Sequence, residues 1–225
     1  MFIVLEGLDG AGKSTQFKLL RDMFATKGIE CEYLHFPRFD APLYGDLIAR
    51  FLRGDLGSLE SVNPYLVALL YAGDRADAAQ LINGWLAEGK IVIVDRYVYS
   101  NIGYQCAKID ETDKRKELRD WILEMEYNHF SIPRPDISLF LDVPFEFTAA
   151  RLSEEREGED RSYLKGGSDI HESSLSLQEA VRRVYIESAE CDEALHVVNC
   201  SASDGSMAQP QQIFQRICEE LRELL

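Results

Sequence analysis

Residues Gly7 to Ser14 (GLDGAGKS) have the spacing G-x-x-x-x-G-K-S, with Thr15 directly behind. The two glycines of that spacing, Gly7 and Gly12, let the backbone turn tightly enough for its N–H groups to face an anion. The ammonium of Lys13 suits the β- and γ-phosphates of a nucleoside triphosphate, and the Ser14 hydroxyl suits a Mg²⁺ ion held on them. The run lies between the apolar FIVLE and the helix-like KSTQFKLLRDMF, so a helix N-terminus adds positive potential. A second chemical pair, Asp95 and Arg96, closes the apolar run IVIVD. Asp95 stands where an acid holds Mg²⁺ or its water shell, although a strand-end aspartate also suits capping the next helix. Arg96 adds a cation at the same sheet edge, where ligands of open α/β sheets bind.

These groups need a scaffold. Five short segments read as buried strands: Phe2 to Glu6, Glu32 to Phe36, Ile91 to Asp95, Ile137 to Asp142 and Leu195 to Asn199. FIVLE, IVIVD and ISLFLD are nearly continuous apolar runs ending in an acid, the pattern of parallel strands covered on both faces. Helical periodicity lies between them. Phe17, Leu20 and Phe24 form one stripe, stopped at Gly28. Leu177, Val181 and Val184 form another, with Ser176 and Glu179 spaced as a capping box. Ile213, Ile217, Leu221 and Leu225 follow Pro210, which suits a first helical turn. The alternation predicts a three-layer α/β fold with a mostly parallel five-stranded sheet.

The chain has 225 residues, the size of one domain. Its 24 basic and 39 acidic residues give a net charge of −15, which disfavours a general nucleic-acid binder or an anionic-membrane binder. The longest apolar run, Tyr65 to Ala72, is far too short to span a bilayer. Glu6 interrupts the start too early for a secretory signal, so the first segment reads as mature protein. Five cysteines without C-x-x-C spacing suit reduced thiols, mostly packed in the core of a cytoplasmic protein. From Ser153 to Ser176 the chain is charged and glycine-bearing. That stretch reads as a surface segment between two helices, either a solvated loop or a mobile lid.

A phosphate loop alone does not name a reaction. The guanine-reading [NT]KxD element of GTPases has only the AKID at Ala107 to Asp110 as a counterpart, without its leading residue, and 225 residues are few for a remodelling ATPase. A nucleoside monophosphate kinase fits the length. Several further motifs agree with that class in order and spacing: EGLDGAGKST, FPRF at Phe36 to Phe39, YAGDR at Tyr71 to Arg75, DRYVYSNIGY at Asp95 to Tyr104, PRPDISLFLDV, and DIHE at Asp169 to Glu172. Together they resemble thymidylate kinase, from the start of the chain to about Tyr185.

The resemblance implies a P-loop NTPase-like fold, a single kinase domain over 1–225 with a lid insertion at about 153–176, and transfer of the ATP γ-phosphoryl group to dTMP with Mg²⁺. It implies that Arg96 and Arg38 contact the dTMP phosphate, that Tyr71 stacks on thymine, and that Arg75 bonds a base carbonyl. Without the resemblance Tyr71 suits the core equally well. Asn101 is similar to an asparagine that reads the thymine edge, and Tyr104 to an aromatic that crowds the sugar 2′ position. Phe36 and Ser100 complete the implied acceptor site. Asp9 is carried over as a residue near the sugar and the metal, whose ligands are Ser14 and Asp95. Gly7, Gly10, Gly12, Lys13, Ser14, Thr15 and Arg151 are implied for ATP, with Arg151 stacked on adenine. Partners are therefore the two nucleotides and a second copy of the chain in a homodimer.

Two departures matter. The position after the loop acid, an arginine in some members, is Gly10, and such members use lid arginines, for which Arg156 and Arg161 are available. The position after the FPR segment, a tyrosine in some members, is Phe39, so any bond from that tyrosine to Asp9 is missing. An arginine delivered to the transferring group contributes about 10³ to 10⁵ in rate. Arg156→Ala or Arg161→Ala is thus expected to lower kcat at least about tenfold, with a much smaller effect on the KM for dTMP. Wild-type kcat in both single variants and in the double variant would return the segment to a plain solvated loop.

Overall fold

The computed structural model describes residues 1–59, 61–153, 163–164, 169–171 and 174–224, the side chains of 151–153 excepted. Most of the expected lid, with Arg156 and Arg161, lies outside the described residues.

The strands are β1 (Phe2–Glu6), β2 (Cys31–His35), β3 (Ile91–Asp95), β4 (Ile137–Asp142) and β5 (Leu195–Asn199). They form one sheet in the order β2-β3-β1-β4-β5, parallel at every pairing. The three apolar runs become the three central strands because both faces are covered, as the full burial of β1 and β3 records. The edge strand β2 is only half covered, and its bounds lie one residue earlier than expected. Phe36 still donates to the Asp95 carbonyl at 3.0 Å, but Pro37 behind it has no N–H with which to extend the ladder.

The helices are α1 (Lys13–Thr26), α2 (Tyr44–Leu52), α3 (Pro64–Ala87), α4 (Val98–Cys106), α5 (Thr112–Leu123), α6 (Phe145–Ser153), α7 (Leu175–Ala189) and α8 (Pro210–Glu220). A π-helical stretch, Glu124–His129, continues α5. One core packs α3, α4, α5 and α7 on one face of the sheet, and a second packs α1 and α8 on the other.

Three helix details differ from the sequence reading. The buried stripe of α1 is Lys13, Gln16, Leu20 and Phe24, while Phe17 is half-buried and stacks on Tyr33 at 4.0 Å. The Gln16 side chain instead turns inward to the Pro210 carbonyl of α8. Helix α7 starts at Leu175, not after Ser176. Its cap is Ser174, whose Oγ accepts from the Leu177 amide at 3.2 Å, so Ser176 and Glu179 lie inside the helix and form no capping box. The stop of α1 at Gly28 and the start of α8 at Pro210 are as read, with Gln209 and Gln212 as a reciprocal cap, and Leu225 lies outside the described residues. The five cysteines are free, with Cys106 and Cys200 buried. Among the described residues no helix is long and apolar enough to cross a membrane.

The packing of α4 on α7 has no slack. A Cβ at Gly103 would lie 3.0 Å from the Tyr185 ring and 3.3 Å from Val181. Tyr185 cannot yield, being fully buried, stacked on Phe140 at 4.3 Å and bonded through its hydroxyl to Glu6 and Ser100. Gly103→Ala is expected to destabilise by about 1–3 kcal/mol, the usual range for overpacking, outweighing the roughly 1 kcal/mol gain in helix propensity. Thermal unfolding checks this, and a raised Tm would show that the two helices separate freely.

Candidate active site

The phosphate loop joins β1 to α1 at the C-terminal edge of the sheet, beside the point where strand order reverses. Gly12, at φ 83°, is the N-cap of α1 and has no side chain with which to cap it, and the first turn carries no acid. The helix N-terminus is thus left to an external anion. Gly7 serves through its size: a Cβ there would meet Ala11 at 3.1 Å and the Leu141 carbonyl at 3.4 Å. Lys13 folds back onto the loop, its Nζ donating to the Gly7 and Leu8 carbonyls at 3.3 Å each and lying 3.7 Å from Asp95. Burial and the nearby Arg96 hold its pKa below the ordinary lysine range. Asp95 is buried, and among the described residues its Oδ1 accepts no hydrogen bond.

From this loop a cleft of about 1410 Å³ runs over the ends of β2 and β3 toward α2 and α3. Gly10, Gly12, Lys13, Ser14, Asp95 and Arg96 line one end; Phe36, Arg38, Tyr71, Arg75, Ser100, Asn101 and Tyr104 line the rest, with Asp9 between. Gly7 and Thr15 do not line it. Arg151 lies on α6, its side chain outside the described residues.

The centre of the cleft is an ordered polar cluster. Asp9 accepts from Arg96 Nη2 at 2.7 Å, from the Tyr104 hydroxyl at 2.8 Å and from Gln178 Nε2 at 3.3 Å. These bonds occupy Asp9 without any contribution from position 39, where Phe39 instead stacks on Tyr163 at 3.8 Å. Arg96 takes a left-handed backbone, φ 67°, uncommon for a bulky residue and typical of functional strain. Its amide bond to the Leu5 carbonyl and its side-chain bonds to Asp9 and Ser100 hold it there. Arg38 is engaged by Asp74 at 2.9 Å and by Asp77 at 2.6 Å. Arg75 is buried against Glu126, with Nε–Oε2 at 2.5 Å and Nη2–Oε1 at 2.7 Å. The pairing removes the cost of an isolated buried guanidinium.

Several of these groups escaped the sequence reading. Glu6, Asp74, Glu126 and Gln178 each fix a predicted site residue, yet only Glu6 and Asp74 stood in quoted motifs, EGLDGAGKST and YAGDR, and neither had an assigned role. His171 lay in the DIHE motif without an assigned role. It is buried between the Tyr104 ring at 4.9 Å and the edge of Phe51 at 5.4 Å, and its Nε2 has no hydrogen-bond partner among the described residues.

Burial, with Lys108 nearby, holds the His171 imidazole well below its usual 6.5. The unfolded chain therefore takes up a proton, below about pH 6.5, that the folded chain refuses, so this residue makes stability fall as pH falls. One such group contributes a slope of up to about 1.4 kcal/mol per pH unit. His171→Phe, which keeps a ring against Tyr104, is expected to flatten the decline between about pH 6.5 and pH 5 in urea titrations. An identical slope in both proteins would show that His171 protonates freely in the fold.

The fold and cleft have counterparts in known proteins. A solved structure of thymidylate kinase from Candida albicans superposes with a TM-score of 0.72, covering 99% of this chain and 91% of that one at 24% identity. The chain thus has the P-loop NTPase fold expected of it, with a sheet that is wholly parallel. A probable thymidylate kinase from Pyrococcus horikoshii is 35% identical over 204 residues, covering 90% of this chain and 89% of the relative. Thymidylate kinase from Mycobacterium tuberculosis is also 35% identical, over 189 residues, covering 84% of this chain and 86% of the relative. The family model described as Thymidylate kinase matches residues 5–209, and with the phosphate loop, the Asp95–Arg96 pair and the polar cluster on one sheet edge, the chain belongs to the thymidylate kinase family.

Proposed function

We propose that the whole chain is one kinase domain that transfers the γ-phosphoryl group of ATP to dTMP, giving ADP and dTDP. The observation that carries this reading is one continuous cleft, with Lys13 at one end and the Asp9–Arg96–Tyr104 cluster on its path toward α3. ATP occupies the loop end. The dTMP phosphate meets Arg96 and Arg38, the base meets Tyr71, Arg75 and Asn101, and Tyr104 bounds the sugar, with Phe36 and Ser100 beside them.

Near neutral pH the attacking phosphate oxygen is already ionised, so no general base is needed and positioning with charge stabilisation supplies the rate. The cleft cations exchange partners on binding. Lys13 leaves the Gly7 and Leu8 carbonyls for the triphosphate, and Arg96 and Arg38 turn donors from carboxylates to the acceptor phosphate. Ser14 and Asp95 fit a Mg²⁺ ion, because the buried Asp95 Oδ1 accepts no hydrogen bond among the described residues and a hard cation prefers carboxylate and hydroxyl oxygen. When bound, the ion neutralises charge on the transferred group.

The free cysteines suit a cytoplasmic protein, and the net charge of −15 argues against nucleic acid as partner. Leu66 and Leu69, exposed on α3, suit the homodimer that the family implies, which sedimentation at micromolar concentration tests.

A coupled assay of ADP release over a panel of monophosphates tests the reaction. We expect dTMP to be preferred, and dUMP to be weaker by roughly 1–3 kcal/mol for its missing methyl. Lys13→Ala is expected to lower kcat by about 10² to 10³ with the fold intact. Preference for AMP or CMP, or near-normal turnover in a folded Lys13→Ala protein, would overturn the reading.

A further inference from the structure

The base end of the cleft depends on a residue that does not line it. Helix α5 gives way to π-helical turns at Glu124–His129, which add a residue per turn and place both Met125 and Glu126 on the buried side. Glu126 is wholly buried. Its Oε2 accepts from Arg75 Nε, and its Oε1 accepts from both Arg75 Nη2 at 2.7 Å and Asn101 Nδ2 at 2.9 Å. Asn101 Nδ2 also donates to the Ala68 carbonyl at 3.0 Å.

These bonds dictate what the two neighbours can offer a ligand. Asn101 spends its amide hydrogens on two acceptors, so its Oδ1 is left as an acceptor, buried and without a partner among the described residues. A flipped amide would set oxygen against a carboxylate and a carbonyl. Arg75 spends its Nε and Nη2 on Glu126, so Nη1 remains for the cleft, on a guanidinium whose charge is balanced. The cleft thereby presents one donor and one acceptor. That pair matches a pyrimidine edge carrying a 4-carbonyl beside N3–H. It mismatches an edge carrying a 4-amino group beside a bare N3, where donor would face donor and acceptor would face acceptor.

We propose that Glu126 is a positioning residue that sets the donor–acceptor polarity of this edge, and so selects 4-keto over 4-amino pyrimidine monophosphates. The inference rests on the reading of Arg75 and Asn101 as the base-facing residues. Glu126→Gln keeps the shape but supplies one acceptor and one amide donor, so it cannot serve both Arg75 donors, and its NH₂ can donate to the Oδ1 of a flipped Asn101. Glu126→Asp keeps both acceptors on a shorter stem.

The informative pair of probes is dTMP and 5-methyl-dCMP, which differ only at position 4 and N3. Their Kd values, from calorimetry, and their KM and kcat are compared in the wild type and the two variants, with the Kd for ATP as the check on folding. In Glu126→Gln we expect the preference for dTMP over 5-methyl-dCMP to shrink at least about tenfold, expressed in KM more than in kcat, with the ratio of dTMP to dUMP unchanged. Glu126→Asp is expected to restore part of that preference. Equal losses for both probes in Glu126→Gln, with ATP binding intact, would overturn the proposal and leave Glu126 as a packing residue. Should Glu126→Gln fail to bind ATP, an unaltered ratio in Glu126→Asp overturns it instead. A wild type that binds neither pyrimidine would instead refute the underlying reading of the site.

Discussion

The arrangement of the cleft hangs on one buried carboxylate. Glu6 ends β1, immediately before the phosphate loop, and is fully enclosed. It accepts from the Tyr97 amide at 2.9 Å, the Ser100 amide at 3.2 Å, the Ser100 hydroxyl at 2.6 Å and the Tyr185 hydroxyl at 2.8 Å. Two of those donors are backbone groups at the start of α4, where a helix dipole favours negative charge. The carboxylate is therefore stabilised by oriented dipoles, and it ties the loop-bearing strand to α4 and α7 at one point. Helix α4 carries Ser100, Asn101 and Tyr104, and Arg96 is stretched across the junction in its left-handed conformation. Removing the carboxylate would leave two helix-end amides and two hydroxyls in an apolar setting without an acceptor.

Charge in the cleft is matched almost group by group. Arg38 meets Asp74 and Asp77, Arg75 meets Glu126, Arg96 meets Asp9, and Lys13 lies close to Asp95. In a chain of net charge −15, a cluster of bare cations would be an indiscriminate anion trap, whereas paired ones release a donor only to a ligand that competes with a carboxylate in the right geometry. The pairs also separate two kinds of work. Arg75 is locked through a buried fork and keeps its place. Arg96 lies nearer solvent, with Asp9 23% exposed, and so can trade partners at lower cost in desolvation.

The parts of the fold legible in the sequence were those written locally. Runs such as FIVLE and IVIVD announce strands because burial on both faces demands continuous apolarity, and each matches its strand residue for residue. The half-covered β2 has a weaker pattern, and its limits shifted by one residue. The cap of α7 was misplaced because Ser176 and Glu179 carry the right spacing, while the actual choice depends on where the Leu177 amide must be satisfied. The same division holds in the site. The loop, Asp95 and Arg96 sit in short motifs. Glu6, Glu126 and Gln178 act on partners 94, 51 and 169 residues away, a relation that spacing cannot reveal before the chain is folded.

The order of the strands has a bearing on how the protein is made. Of the five strands β1 is made first, yet it is the central one, and its neighbours are Ile91–Asp95 and Ile137–Asp142. At roughly 5–20 residues per second, the apolar FIVLE waits several seconds or more for its first partner and longer for its second. Glu6 waits longer still, for Tyr185, before its last hydrogen bond can form. The nucleotide loop is thus synthesised well before the elements that complete it. Until those partners emerge, a nascent chain exposes an apolar strand with both edges unpaired. That last bond waits for α7, so the capacity to grip a triphosphate is completed only after four strands and seven helices have been made.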